Sequence, residues 1–245
     1  MGTLLEDLTW QQAEGVLRSD TVVVIPLGAG SKEHGPHLRL KNDFLIAEYL
    51  KRRVLERADV VVAPTLNYHF FPAFVDYPGS TTLRLETARD LTVDVVRSIA
   101  RHGPRRFYVL NTGVSTNRAL RPAAEALAAE GVLLRFTDLV TLLKPACEGL
   151  EKQEGGTHAD EIETSMMLVI APETVDMTKA VKDYHQGEGP LVRDKNAKGT
   201  WSASGCWGDP TLASREKGEK VVAALVTGVL RDIEATRSAP LPEKR

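Results

Sequence analysis

Short apolar segments rich in β-branched residues alternate along the chain with longer segments whose apolar residues recur every three or four positions. The short runs predict strands buried on both faces, and the longer spacing predicts amphipathic helices. Strands are expected at 21–25, 59–63, 107–110 and 132–136, and helices at 43–56, 87–102, 117–130, 157–171 and 217–236. Thr87 begins a capping-box spacing, and Thr157 is the expected N-cap of the fourth helix.

The alternation of strands and helices determines the expected architecture. Right-handed crossovers between successive strands give a mostly parallel sheet with helices on both faces. No repeat, low-complexity block or Pro-rich linker interrupts the 245 residues, so we expect one domain over 1–245, with a loose tail at 238–245. The predicted fold class is α/β, a three-layer α/β/α sandwich. Its functional site is expected at the carboxyl ends of the strands.

Composition narrows the partners and the compartment. Lysine and arginine number 31 against 33 acidic residues, and no basic run appears, which argues against nucleic acid or an anionic membrane as the main partner. No apolar run has the length of a membrane span, and residues 1–10 lack the pattern of a signal peptide. Two cysteines are too few for a disulfide framework. We therefore expect a cytoplasmic protein that acts on a small molecule.

Candidate chemistry follows the first predicted strand. The loop at 26–38 carries Glu33, His34 and His37, and Asp43 begins the next helix. Imidazole and carboxylate groups at close range suit a divalent ion such as Zn²⁺ or Mn²⁺. The same residues are also compatible with a structural role, in which Asn42 or Asp43 caps the helix and the histidines bind loop backbone groups.

A second cluster lies at 155–165 and contains His158, Asp160, Glu161 and Glu163. Acidic residues in a first helical turn commonly interact with the helix dipole, which accounts for Asp160 and Glu161. Glu163 is offset from His158 by about 140° around a helix, so the two side chains are expected on either side of a pocket.

Together these segments resemble the creatininase (creatinine amidohydrolase) family, in consistent order from about residue 20 to 235. The residues that carry the resemblance are Pro26-Leu-Gly28, His34-Gly-Pro-His-Leu38, Asp43, Pro78-Gly-Ser-Thr81, His158-Ala-Asp-Glu-Ile-Glu-Thr-Ser165, Gly205-Cys-Trp-Gly-Asp-Pro-Thr-Leu-Ala213 and Glu216-Lys-Gly218.

The resemblance implies an α/β/α sandwich that holds two divalent metals and hydrolyses a carbon–nitrogen bond, often in a cyclic amide. It implies that His34 is a metal ligand and that Asp43 bridges the ions. It further implies that His158 binds substrate or carries a proton to the leaving nitrogen, and that Glu163 supports the metal or its water. Family members are often hexamers, so a homo-oligomer is expected.

Three departures from the family pattern change this expectation. The position of the metal-binding glutamate holds Lys32, with Glu33 beside it, so Glu33 reaches the metal of His34 only if the loop bulges. The family's Asn-Gly-His becomes Asn111-Thr-Gly113, which lacks the imidazole ligand. Glu154 stands where creatinine-hydrolysing members have a tryptophan, so creatinine is not the expected substrate.

The two losses concern ligands of one metal, so we hypothesise a mononuclear site. Its ligands would be His34, Asp43 and Glu163, with Lys32 or Glu33 in the vacated space. Candidate catalytic residues are His158, Glu163 and Lys32, and candidate metal ligands are Glu33, His34, Asp43 and Glu163. Candidate substrate-binding residues are His37, His69, Asp76, Ser80, Asn111 and Trp207.

Three functions are compatible with this pattern. The first is a metal-dependent hydrolase of a non-peptide carbon–nitrogen bond in a small cyclic amide. The second is a lyase, cyclase or isomerase on the same fold, and the third is a non-catalytic binding subunit. A decayed site would have lost its charged residues, whereas this chain retains ionisable residues at all the central positions. The sequence therefore favours a working enzyme.

Overall fold

A five-stranded parallel sheet forms the centre of the protein. The structure, a computed structural model, describes residues 1–244. The strands lie in the order β1-β3-β2-β4-β5, with the longest pairing between β2 and β4. Their bounds are β1 Thr3–Leu4, β2 Val22–Leu27, β3 Val61–Val62, β4 Arg106–Asn111 and β5 Leu133–Phe136. Two further short strands, β6 Leu191–Val192 and β7 Thr200–Trp201, pair separately.

Seven α-helices in the described residues accompany the strands. They are α1 Trp10–Val16, α2 Asn42–Arg57, α3 Leu85–Ala100, α4 Asn117–Ala128, α5 Leu139–Cys147, α6 Glu161–Ile170 and α7 Arg215–Ser238. None of these helices combines the length and the apolar composition needed to cross a lipid bilayer.

Alternate residues of the central strands face two separate hydrophobic cores. Val22 and Val24 of β2 contribute to a core with α2, α6 and α7, whereas Val23 and Ile25 contribute to a core with α3 and α4. This two-sided burial explains why the strands read as continuous apolar runs. The predicted α/β/α architecture is confirmed, and the single-domain assignment stays a prediction.

Two predicted helix starts are wrong. α3 begins at Leu85, because that side chain packs with Phe70 and Ala88, and Thr87 does not cap it. α6 begins only at Glu161, where the Asp160 side chain accepts a hydrogen bond from the Glu163 amide. Thr157 cannot cap it, since the helix begins four residues later and the intervening His158 pairs with the backbone of Trp207.

Short elements were missing from the sequence prediction, and the chain end differs from it. β1, α1 and α5 were not predicted, because two-residue strands and helices of seven or nine residues give weak periodicity. At the carboxyl end, α7 extends to Ser238, and buried Ala239 accepts a hydrogen bond at its carbonyl from Arg106. Arg245, part of the predicted loose tail, lies outside the described residues.

The contact between α6 and α7 depends on Gly218. A Cβ atom there would overlap the carbonyl oxygen of Ser165, so the two helix backbones approach more closely than any side chain allows. The backbone amide of Ser214, the N-cap of α7, also donates a hydrogen bond to Ser165 Oγ of α6 at 3.0 Å. Because α6 carries Glu163, this contact helps to position the candidate site.

Gly218→Ala should destabilise the protein by about 1–3 kcal/mol, through overpacking, although alanine is the better helix former. Gly15→Ala in α1 is the matched control, because nothing lies within 4 Å of its added Cβ. That control should be neutral or stabilising by up to about 1 kcal/mol. Urea unfolding of both variants tests the prediction, and equal effects would contradict the close helix contact.

Candidate active site

The two sequence clusters meet at the carboxyl end of β2. The chain leaves this strand through Gly28, where a Cβ would overlap the carbonyl oxygen of Asp43, so the strand end lies directly against the start of α2. Thr112, immediately after β4, donates a hydrogen bond to that same Asp43 carbonyl at 3.1 Å. The backbone of α2 is thereby held between the ends of two central strands, which fixes the position of the Asp43 side chain.

Asp43 is shared by two cationic partners. Its Oδ2 lies 2.7 Å from the Lys32 ammonium, and its Oδ1 lies 2.8 Å from His34 Nε2. All three residues are buried, with exposures of 1% for His34 and Asp43 and 6% for Lys32. His34 also contacts the carbonyl oxygen of Lys32 through Nδ1 at 2.8 Å. Since a carbonyl can only accept, Nδ1 carries the proton, and Nε2 faces the carboxylates.

Glu163 completes this group from α6. Its Oε1 lies 3.4 Å from His34 Nε2 and accepts a hydrogen bond from the Asn42 amide at 2.9 Å. Its Oε2 accepts one from the backbone amide of Ala159 at 2.8 Å. Ala159 has a φ of 47°, the left-handed conformation that a non-glycine residue seldom adopts. In this conformation the backbone amide of Ala159 donates its hydrogen bond to Glu163.

His158 and Glu33 form the opposite side of the site. His158 Nε2 lies 3.0 Å from Glu33 Oε2, and its Nδ1 lies 3.8 Å from Glu163 Oε2. The Phe74 ring covers this side, at 4.0 Å between ring centroids from His158 and with the Lys32 ammonium 4.7 Å from its centroid. The charged groups are therefore enclosed by an aromatic side chain and shielded from solvent.

A buried ion pair anchors the segment that leads to His158. Glu161, fully buried, binds the Lys217 ammonium of α7 and accepts hydrogen bonds from the backbone amides of Lys152 and Gln153. The Gln153 side chain in turn donates to Asp160 at 2.7 Å. Asp160 and Glu161 thus have structural roles, as the sequence indicated: Asp160 caps α6, and Glu161 pairs with Lys217.

Electrostatics favour the ionised carboxylates. Burial would raise the pKa of Glu163, but His34, His158 and Lys32 together hold it well below its usual range. Burial likewise opposes ionisation of Asp43, and Lys32 and His34 lower its pKa. Burial and Lys32 disfavour a charged His34, yet Asp43 and Glu163 outweigh them and raise its pKa to about 9. The buried carboxylates and cations of the site therefore stabilise one another's charged forms.

These donors fit a single divalent ion. One ligand atom each from His34, His158 and Glu163 lies within 4.8 Å of the others. Tetrahedral ligands with bonds of ~2.0–2.1 Å are separated by about 3.3–3.4 Å, and His34 Nε2 and Glu163 Oε1 are 3.4 Å apart. His34 donates through Nδ1 to a backbone carbonyl, so Nε2 is the nitrogen that would bind a metal once it has lost its proton.

The other two predicted ligands, Asp43 and Glu33, are not among these three clustered donors. Asp43 joins the group through His34, whereas Glu33 pairs with His158 and is not one of the three clustered ligands. Lys32 occupies the space beside Asp43. In the segment that lacks the family's histidine, the Asn111 side chain binds Gly113 and Thr116. The assignment of Glu33 as a metal ligand stays a prediction.

The predicted substrate-binding residues are dispersed. Ser80 Oγ accepts from the Glu33 amide at 2.9 Å, and Trp207 pairs through its backbone with His158, so both support the site. His37 contacts Thr164 and Cys206, and burial lowers its pKa to about 4.

His69 and Asp76 have partners outside the charged cluster. His69 lies 3.0 Å from Thr92 on α3, and Asp76 accepts from the Arg193 amide at 2.6 Å. Direct substrate contact by any of the six residues stays a prediction.

Two contributors were not identified from the sequence. Phe74 was not singled out in the sequence, because no spacing indicates that its ring reaches His158. Asn42 was considered only as a helix cap, but Lys41 is the N-cap and Asn42 binds Glu163 across 121 positions. The sequence feature that could have indicated this role is the position of Asn42 next to Asp43.

Comparison with known proteins agrees with this geometry. A family model described as creatinine amidohydrolase (creatininase) matches residues 6–233. The chain is 28% identical over 246 residues to creatinine amidohydrolase of Pseudomonas putida, covering 91% of this chain and 93% of that protein. It is 29% identical over 215 residues to the mycofactocin precursor peptide peptidase of Mycolicibacterium smegmatis, covering 84% and 82%.

The fold is also similar to that of a solved creatininase structure. A solved structure described as "Creatininase Mn" superposes with a TM-score of 0.81 at 25% identity, covering 98% of this chain and all of that one. The chain belongs to the creatininase family of metal-dependent hydrolases that act on carbon–nitrogen bonds.

Proposed function

We propose that the protein hydrolyses a carbon–nitrogen bond of a small cyclic amide with one divalent ion, Zn²⁺ or Mn²⁺, bound by His34, Asp43 and Glu163. In this proposal His158, the other donor that lies within reach of His34 and Glu163, transfers protons and does not bind the ion. The observation that carries this proposal is the Lys32 ammonium, 2.7 Å from Asp43 Oδ2. Asp43, the residue that bridges two ions by family resemblance, has one oxygen on His34 and the other on a lysine. A second cation beside that lysine would meet direct repulsion.

A bound divalent ion supplies Lewis acidity and lowers the pKa of a coordinated water towards ~7. Asp43 and Glu163, ionised and held by fixed donors, compensate the positive charge. Lys32 can donate from its ammonium to the substrate carbonyl oxygen, where negative charge develops during hydrolysis. His158 faces the same space and can carry a proton to the leaving nitrogen, as imidazoles do near neutral pH.

The enclosure of the site supports a small substrate. Phe74 stacks on His158 and lies over Lys32, so a bound molecule has to fit beside an aromatic ring. This arrangement favours a flat, compact amide over a long peptide. The site retains its charged residues, and they pair with one another, which supports a working enzyme over the non-catalytic alternative.

The metal stoichiometry tests the ligand set. We expect one tightly bound ion per chain by elemental analysis, lost in His34→Ala and Asp43→Asn and retained in His102→Ala, which changes an exposed histidine after α3. Two tightly bound ions would contradict the single-ion proposal. No bound ion in protein purified and reloaded with Zn²⁺ or Mn²⁺ would overturn the metal assignment.

Lys32→Met should lower kcat for the hydrolysed amide by about 10²–10³, the loss typical of a removed donor to the developing oxyanion. Lys51→Met is the matched control, because Lys51 is also buried and ion-paired, with Glu6 at 3.1 Å, but lies outside the site. It should retain activity.

The assay offers cyclic imides, lactams, dihydropyrimidines and a short peptide, and it follows the released amine or carboxylate. Turnover of the peptide alone would contradict the cyclic-amide assignment. No turnover of any of them by the metal-loaded protein would favour the lyase, cyclase or isomerase alternative.

A further inference from the structure

Several contacts hold the side chain of Glu33 in one position. Its carboxylate is buried, at 6% exposure, and its Oε1 accepts a hydrogen bond from the backbone amide of Gly35. Its own backbone amide donates to Ser80 Oγ at 2.9 Å. Gly205, with a φ of 89°, lies against the carboxylate, and a Cβ there would overlap Oε1. Three segments of the chain thus determine where the carboxylate lies.

With Oε1 bound to Gly35, the other oxygen is directed at His158. Oε2 lies 3.0 Å from His158 Nε2. The backbone of His158 is fixed by two hydrogen bonds with Trp207, at 3.2 and 2.8 Å, and its ring by Phe74. An ionised carboxylate can only accept, so Nε2 has to carry the hydrogen. In the neutral ring, Nδ1 is then unprotonated, on the side of Glu163.

We infer that Glu33 is a positioning residue that fixes the tautomer of His158, so that Nδ1 is the nitrogen that works in the reaction. The tautomer itself does not depend on the proposed function, and only the reaction step that follows from it does. As the O–H bond of the attacking water breaks and its oxygen bonds to the carbonyl carbon, Nδ1 takes the proton. When the C–N bond breaks, Nδ1 gives that proton to the leaving nitrogen, and the ring returns to its starting form.

Glu33→Gln gives the sharpest test, since it keeps the size of the side chain. The Gly35 amide requires the glutamine oxygen at the position of Oε1, which directs the NH₂ group to His158 Nε2. Nε2 then has to accept, and the hydrogen moves to Nδ1. We expect an inverted tautomer and a decrease in kcat of about 10²–10⁴, because the nitrogen that has to accept the proton then already carries one, with little change in KM.

The readout is ¹⁵N NMR of histidine-labelled, metal-loaded protein at mildly alkaline pH, with the His158 signals assigned from a His158→Gln variant. Wild-type protein should show a protonated Nε2 and an unprotonated Nδ1. Glu33→Gln should exchange the two signal types, and Glu33→Ala should give a mixture. Glu48→Gln, which changes a partly buried carboxylate of α2 bonded to Thr65, should leave the His158 spectrum unchanged.

Two results would overturn the inference. One is an unchanged His158 tautomer in both Glu33 variants, and the other is loss of bound metal from them, which would make Glu33 a ligand. The tautomer is measured without turnover. Inversion in Glu33→Gln would therefore support the positioning role even if no amide were hydrolysed, a result that would remove only the proposed function.

Discussion

The pairing of buried charge at Asp43 is the constraint on which the rest of the site depends. An isolated carboxylate in a dry interior is strongly destabilised, and removing one partner of a buried ion pair typically costs about 3–5 kcal/mol. Asp43 meets this requirement with Lys32 on one oxygen and His34 on the other. Glu163 then lies within reach of the same imidazole nitrogen, so two carboxylates and two cations stabilise one another.

The architecture holds these charges at fixed separations. Asp43 depends on Gly28 and Thr112, which bring α2 against the ends of β2 and β4. Glu163 depends on the close contact of α6 with α7 at Gly218. The charged cluster therefore joins the rigid sheet edge to a tightly packed helix pair, and a shift of either element would leave buried charges without partners.

The sequence was sufficient to predict the layers, because residues buried on both faces of β2 and β4 read as apolar runs and the long helices have strong periodicity. The residues His34, Asp43, His158 and Glu163 were recognisable because they match the pattern of the creatininase family, and the structure brings together the loop after β2, the start of α2 and the start of α6, which carry them. The partners of Lys32 and Glu33 could not be derived from spacing. Adjacent residues point in opposite directions, and which of them faces Asp43 is decided by long-range contacts, such as those of Ser80 and Gly205 with Glu33.

On the proposed function, a lysine in the place of a second ion changes what the chain has to supply. A metal needs several converging donors, each correctly deprotonated, whereas an ammonium needs one carboxylate and an apolar enclosure. Asp43 provides the first and the Phe74 ring the second. The segment after β4 is then free of any ligand role, and Asn111 instead binds its own turn through Gly113 and Thr116. The ammonium of Lys32 thus replaces the second metal ion, and the histidine that would bind that ion is no longer needed. Lys32 provides a single positive charge and no open coordination position, so activation of the water would be supplied by one bound ion, and Lys32 would act on the substrate oxygen.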